Sequence, residues 1–197
     1  MPAVEPESTA IGWIEAISTG DDDTAIALTA PRSLEAFGGP DGFRDDEIAL
    51  AEGWGAWHSA SGREVTTVRI DDELSIVVLH GEVSQEGPPE ESWAALPVVR
   101  DGVEPFLDLG NVEVQPPANS DIPSEGRLSA YVLGGRDVWF IVDANAAVQP
   151  ATQGADGDQQ LAELDVSGLE PGLHALTVVL RNDDGVMARA FRYGVEG

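Results

Sequence analysis

The sequence predicts two domains of different classes, an α+β domain followed by an all-β domain. Hydrophobic residues recur at helical spacing up to about residue 60 and alternate from residue 63 onward. A polar, proline-containing stretch, QPPANSDIPSEG, divides the alternating segments into two groups, and no helical pattern follows it. We therefore assign residues 1–115 to the α+β domain, 116–126 to a linker and 127–197 to a β-sandwich domain.

Three helices are predicted in the first part of the chain. ESTAIGWIEAISTG places Trp13 and Ile17 on one face, with Ser8 or Thr9 as the N-cap and Gly20 as the stop. DDDTAIALTA begins with an aspartate cap and ends before a proline. After the loop GGPDG, the stretch FRDDEIALAEGWGAWH is predicted to form the third helix.

The alternating segments predict antiparallel strands. REVTTVRI, LSIVVLHGEV and WAALPVVR are rich in β-branched residues, and Asp101-Gly102 is predicted as a tight turn into VEPFLDL. Beyond the linker, five segments alternate between turn signals: RLSAYVL, DVWFIVDA, LAELDV, HALTVVLR and VMARAFRYGV. Their number and spacing predict a small β-sandwich.

The charge of the chain excludes some partners. Asp and Glu total 36 against 10 basic residues, all of them Arg, which gives a net charge of −26. A surface this acidic repels phosphate backbones and anionic lipids, so we expect no nucleic-acid partner. We also expect no membrane insertion, because no apolar run is long enough to span a bilayer.

The first ten residues, MPAVEPESTA, lack the basic and apolar regions of a signal peptide. They also fit a chain that begins just after a removed export signal or lipid anchor. We favour an extracytoplasmic, cell-envelope location and keep a cytoplasmic one as the alternative.

The helices followed by strands, with the ending WAALPVVRDG…FLDL, resemble the NTF2-like (SnoaL/ketosteroid-isomerase-like) family over about residues 5 to 115. The resemblance implies a cone, in which helices pack on the concave face of a curved sheet and commonly enclose a pocket for a small apolar ligand. The candidate pocket residues are Trp13, Trp54, Trp57, His58, His80 and Trp93. We favour the simpler interpretation that they fill the core, because aromatic residues dominate core burial with or without a pocket.

An enzyme of isomerase, cyclase or hydrolase type is the alternative that this resemblance implies. His80 is in phase with Leu74, Ile76 and Val78, so it points inward if that face is concave, where Asp108 or Asp101 would complete an acid–base pair. Against this, ketosteroid-isomerase-like members need a tyrosine to stabilise an oxyanion, and residues 1–115 contain none.

The C-terminal segments DVWFIVDA, AELDVSGLEPGLHALTVVLRNDDG and AFRYGV resemble a bacterial immunoglobulin-like domain. The resemblance implies that His174 takes the place of the corner tyrosine and that Leu176 and either Phe140 or Trp139 lie in the core. It also implies exposed edge strands that can add to the sheet of a protein partner.

Metal and cofactor chemistry receives little support. The loop DANAAVQPATQGADGDQQ contains four oxygen donors, Asp143, Asn145, Asp156 and Asp158, but their spacing departs from that of an EF-hand. There is no cysteine, glycine-rich phosphate loop, nucleophile elbow or HExxH motif. We expect neither a metal nor a cofactor.

These observations favour a non-enzymatic, two-domain accessory or binding protein of the bacterial cell envelope. Its N-terminal domain would hold a small apolar ligand or form a homodimer through its sheet, and its C-terminal domain would serve as a spacer or protein-contact module. Besides the enzyme, a salt-adapted acidic cytoplasmic protein remains an alternative.

Overall fold

The computed structural model describes residues 5–84, 87–105, 112–122, 126–133, 137–154 and 159–195. It is a mixed α+β structure in which the described strands form antiparallel sheets. Contacts divide the chain into two units, 1–107 and 108–197, so the division falls earlier than the boundary predicted at residue 115.

The first unit begins with helices. They are α1 (Pro6–Thr19), α2 (Asp22–Leu28), α3 (Pro31–Ala36), α4 (Pro40–Asp45) and α5 (Glu47–His58). Helix α1 begins before the predicted cap because Pro6, whose ring presets a helical φ, occupies its first turn. It ends as predicted at Gly20, whose φ of 70° is left-handed and whose N–H bonds to the last carbonyls.

The remaining helices differ from the predicted two. Asp21 caps α2 as expected, since its side chain accepts a hydrogen bond from Thr24 N. Pro31 and Pro40 each begin a short helix, so the predicted third helix is divided into α4 and α5. Proline is favoured in the first turn of a helix, where its missing N–H has no partner to lose.

One antiparallel sheet follows the helices. Its strands are β1 (Ser61–Arg69), β2 (Leu74–Val83), β3 (Glu90–Val99) and β4 (Gly102–Val103), which neighbour one another in sequence order. The turn between β3 and β4 is Arg100–Asp101, and Gly102 starts β4 instead of completing the turn. Gly102 has a φ of 145°, and a Cβ there would lie 2.6 Å from the Leu28 carbonyl oxygen.

The helices cover one face of this sheet. Alternating residues of β2 and β3 on that face, including Val77, Leu79 and Leu96, form a continuous core with Trp13 and Ile14 of α1. Leu74, Ile76 and Val78 of β2 lie on the opposite face, because successive side chains of a strand point in opposite directions.

The second unit is built of strands. They are β5 (Glu113–Gln115), β6 (Arg127–Leu133), β7 (Asp137–Val142), β8 (Thr152–Gly154), β9 (Gln159–Asp165), β10 (Gly172–Asn182) and β11 (Gly185–Val195). Two sheets result, one in the order β5-β6-β9-β8 and the other in the order β11-β10-β7. The predicted segments correspond to β6, β7, β9, β10 and β11, whereas the short strands β5 and β8 were not predicted.

Part of the predicted linker belongs to the second unit. Asn119 N donates to the Arg192 carbonyl, Ile122 N donates to the Gly194 carbonyl, and Gly194 N donates to Ser120 O. The Tyr193 hydroxyl donates to the Pro116 carbonyl at 3.0 Å. Residues 116–122 are therefore a strap along β11.

Among the described residues, no helix combines the length and the apolar character needed to cross a membrane.

Candidate functional site

Three of the tryptophans named as pocket candidates, Trp13, Trp54 and Trp57, pack in the core of the first unit. Trp13 has no exposed surface, and its indole Nε1 donates to Thr29 Oγ1 at 2.9 Å. The Thr29 hydroxyl in turn donates to the Ala25 carbonyl at 2.8 Å, so this buried chain of polar groups is satisfied. Trp13 therefore has the environment of a core residue.

Helix α5 carries three more of the pocket candidates, Trp54, Trp57 and His58. Trp54 packs edge-to-face on Trp13, with ring centroids 6.0 Å apart, and Trp57 is 5% exposed. His58, at the end of the helix, is exposed and is not part of this core. The structure thus brings Trp13, Trp54 and Trp57 together and leaves His58 outside.

His80 and Trp93 form a separate site on the other face of the sheet. They are opposite each other on β2 and β3, and their rings stack with centroids 4.5 Å apart and an interplanar angle of 8°. His80 is in phase with Leu74, Ile76 and Val78, as predicted. The helices, however, cover the alternate face that carries Val77 and Leu79, so the imidazole does not point into the helix–sheet interior.

Asp101, one of the two partners predicted for His80, lies far from it along the sheet. The Arg100–Asp101 turn adjoins the Leu74 end of β2, and His80 lies six positions further along that strand. At about 3.3 Å per residue this separates His80 from Asp101 by roughly 20 Å. Asp108, the other proposed partner, lies outside the described residues.

Glutamates occupy the positions beside His80 instead. Nε2 lies 2.9 Å from Glu91 Oε1, and Nδ1 lies 3.6 Å from Glu64 Oε2. Register explains the second contact, because Glu64 is directly opposite His80 across β1 and β2. The carboxylates face different ring nitrogens, so they do not converge on one point where a metal would bind, and no metal-binding cluster occurs within the described ranges.

A second histidine, His174, lies at the start of β10 in a closed set of hydrogen bonds. Nδ1 is 2.7 Å from Asp143 Oδ2, and Nε2 is 2.7 Å from the Glu170 carbonyl oxygen. Asp143 Oδ1 also accepts from Ala175 N at 2.9 Å. These contacts tie the end of β7 to the start of β10.

The His174 environment favours the imidazolium form. Burial lowers the pKa of His174, but hydrogen bonds to the Asp143 carboxylate and the Glu170 carbonyl, with the Asp143 charge, raise it by more. The pKa of His174 therefore lies above its ordinary value. A ring held in this way is suited to a structural role and not to proton exchange with a substrate.

Asp143 and Asn145, the described members of the four oxygen donors named as metal candidates, are not arranged as a calcium site. Asp143 directs both carboxylate oxygens to His174 and Ala175, and its φ of 50° places it in the left-handed region. Asn145 is exposed, and Asp156 and Asp158 lie outside the described residues. Calcium needs six or more converging oxygens.

Sequence reasoning missed an ion pair in which the glutamate is buried and the arginine is partly exposed. Glu104, which follows β4, is 1% exposed, and its Oε1 lies 2.6 Å from Arg32 Nη2 on α3. The sequence indicates a buried glutamate, because Glu104 lies within the apolar run VEPF directly after a tight turn. It does not indicate which arginine pairs with this glutamate, since that depends on the tertiary structure. The pair joins the helices to the end of the sheet.

No protein-family model matches the chain, and no curated protein or solved structure matches it.

Proposed function

We propose that the chain is a non-enzymatic, two-domain binding protein of the bacterial cell envelope that acts through protein contacts. The observation that carries the proposal is the burial of Trp13 within the core cluster of the first unit. Trp13 is fully buried and hydrogen-bonded to Thr29, where an enzyme of the predicted type needs an open cavity with an acid and a base.

The histidines support the same conclusion. Each ring nitrogen of His174 faces a carboxylate or carbonyl oxygen, and each ring nitrogen of His80 faces a glutamate. A general base needs a nitrogen directed at the proton that it removes. In these two residues the nitrogens are directed at side chains and backbone of the protein itself.

For the first unit we propose an NTF2-like cone with a core in place of a ligand pocket. Helices followed by a four-stranded antiparallel sheet, with the helices on one face, support this assignment. The residues at its centre, Trp13, Ile14 and Ile17, are at most 2% exposed. We therefore do not propose that an apolar ligand binds at the centre of the first unit.

For the second unit we propose an immunoglobulin-like sandwich. Named A to G in chain order, β5 to β11 form sheets ABED and GFC, which is the strand arrangement of the constant-type immunoglobulin fold. The corner tyrosine of that fold bonds to the backbone a few residues upstream, and His174 makes this bond to the Glu170 carbonyl. Both features support the resemblance found in the sequence.

Strand β11 is the surface through which this module would contact a partner. It is an edge strand of its sheet. The peptide groups of Arg192 and Gly194 bond to residues 119–122, so they point away from β10. By strand alternation, those of Ala188 and Ala190 point the same way. Outward peptide groups on an edge strand are the usual basis for adding a strand from another protein.

The proposal is tested by native mass spectrometry of the purified chain, combined with capture of partners from an envelope fraction. We expect the mass of the protein without a small molecule, and a partner that binds the wild-type chain but not Ala188→Pro. Proline at this position removes an outward N–H and leaves the β10 pairing intact. Ala144→Gly changes an alanine in the turn after β7, away from the β11 edge, and serves as the control.

Two results would overturn the proposal. One is an apolar molecule that co-purifies in stoichiometric amount and is lost in a variant of the Trp13 core. The other is turnover of any substrate that is abolished by His80→Gln while the fold is retained.

A further inference from the structure

Strand β1 is the outermost strand of the four-stranded sheet in the first unit. Thr66 and Thr67 point to opposite faces of the sheet, yet both are exposed. Glu64 and Arg69 are exposed as well, which leaves the outer side of this strand open to solvent along most of its length.

The direction of each peptide group in β1 follows from one hydrogen bond. Ile70 N donates to the Leu74 carbonyl at 3.0 Å, so Ile70 belongs to a hydrogen-bonded pair with β2. In an antiparallel ladder such pairs alternate with pairs whose peptide groups point away. The peptide groups of Val65, Thr67 and Arg69 therefore point outward, and the described part of the chain makes no backbone hydrogen bond to them.

The usual means of protecting a sheet edge are weak here. Residues 61–69 contain no proline, and the irregularity between Ser61 and Glu64 lies at the beginning of the strand. Arg69 bends toward the following turn, where it bonds to Asp71 O and pairs with Asp72. The middle of β1 thus remains available for pairing.

We propose that β1 pairs antiparallel with β1 of a second copy of this chain, centred on Thr67. This register places Thr67 opposite Thr67, Thr66 opposite Val68 and Val65 opposite Arg69. It also places Glu64 opposite Ile70 and Arg63 opposite Asp71, so no like charges face each other. Pairs between β-branched residues, and threonine pairs in particular, stabilise adjacent strands.

Two other registers are less favourable. Pairing centred on Arg69 places two arginines directly opposite each other, which destabilises a strand pair. Pairing centred on Val65 extends into the irregular stretch between Ser61 and Glu64. Because the sequence around Thr67 is complementary to itself, the strand that pairs with β1 is assigned to a second copy of this chain.

The resulting dimer has two-fold symmetry and joins two four-stranded sheets into one continuous sheet. Each copy carries a net charge of −26, so mutual repulsion opposes association. The Debye length is about 10 Å at 0.1 M salt and shortens as salt rises, so dimerisation should strengthen with ionic strength. This inference does not depend on the proposed function.

The test is sedimentation velocity of the full chain over a range of protein and salt concentrations. We expect a monomer at low salt and a dimer at high salt, and loss of the dimer in Thr67→Asp, which places like charges opposite each other. Thr152→Asp, on an exposed edge strand of the second unit, should dimerise like the wild type.

A cross-linking experiment supplies an independent readout, since the chain has no cysteine. Thr67→Cys should be joined to its partner by a short thiol-reactive cross-linker at high salt, whereas Thr152→Cys should not. A monomer at every salt concentration, a dimer unaffected by Thr67→Asp, or association only with a different protein would each overturn the proposal.

Discussion

His174 Nδ1 lies 2.7 Å from Asp143 Oδ2, in a contact that joins the start of β10 to the end of β7. The other ring nitrogen is 2.7 Å from the Glu170 carbonyl oxygen. A neutral imidazole has only one N–H, and both partners accept hydrogen bonds, so only the protonated ring satisfies both contacts. The stability of this corner is therefore coupled to pH.

The first prediction concerns that coupling. Because the pKa of His174 is raised in the folded state above its ordinary value of 6.5, its contribution to stability is complete below pH 6.5. The contribution is lost as pH rises through the folded-state pKa. Urea denaturation on the acid and alkaline sides of neutrality should show this loss in the free energy of unfolding.

Variants separate His174 from other titrating groups. His174→Gln should lower the free energy of unfolding by roughly 1–3 kcal/mol below pH 6.5, and it should remove the loss of stability that accompanies deprotonation of His174 above that pH. His58→Gln, on an exposed residue, should leave both unchanged. An unaltered pH profile in His174→Gln would show that the ring is not the coupled group.

The second prediction concerns the buried bond from Trp13 to Thr29. Thr29→Val keeps the shape of the side chain but leaves the indole N–H without its acceptor, which should cost roughly 1–3 kcal/mol. Thr29→Ser keeps the hydroxyl and should cost less. Chemical denaturation followed by tryptophan fluorescence measures both, and equal losses in the two variants would contradict the assigned role of the hydroxyl.

The third prediction concerns Gly102 at the start of β4. Its φ of 145° disfavours any side chain, and a Cβ would lie 2.6 Å from the Leu28 carbonyl oxygen and 2.8 Å from Ala30 N. Gly102→Ala should therefore lower the melting temperature. Gly53→Ala, in α5 where a Cβ meets no atom within 4 Å, should raise stability by about 0.5–1 kcal/mol. Equal effects at the two sites would contradict this difference.

The sequence predicted helices and strands well where a pattern of neighbouring residues determines them. The alternation in LSIVVLHGEV and HALTVVLR corresponds to β2 and β10, and the positive φ of Gly20 ends α1 as expected. The change of hydrophobic period near residue 63 corresponds to the beginning of β1 at Ser61. Each of these depends on neighbours within a few residues.

The candidate sites were less predictable, because they depend on register and on which face of the sheet the helices cover. The alternation of side chains along β2 places His80 on the same face as Leu74 and Ile76. Alternation alone does not say which of the two faces packs against α1. The partners of His80 come from the register of three strands, and Asp143 reaches His174 across a separation of 31 residues. Periodicity carries no information about such pairings.

The fourth prediction concerns the strap along β11. A bound strap should resist a protease that cleaves before aspartate, so cleavage at Asp121 should be slow in the native protein. Tyr193→Phe removes the hydroxyl that holds the Pro116 carbonyl and should raise the cleavage rate roughly fivefold, the ratio equivalent to about 1 kcal/mol. Tyr131→Phe is the control, and rapid cleavage of the wild-type protein at Asp121 would show that the strap is free.

The fifth prediction follows from the excess of acidic residues, 36 against 10 basic ones. Repulsion among these charges destabilises the compact state, and salt screens it, so the melting temperature should rise with sodium chloride and then level off. The same titration near the isoelectric point of about 4.1 is the control, because the net charge is small there and little repulsion remains to be screened. Equal salt dependence at the two pH values would indicate preferential exclusion of salt, and a flat response at neutral pH would show that self-repulsion does not limit stability.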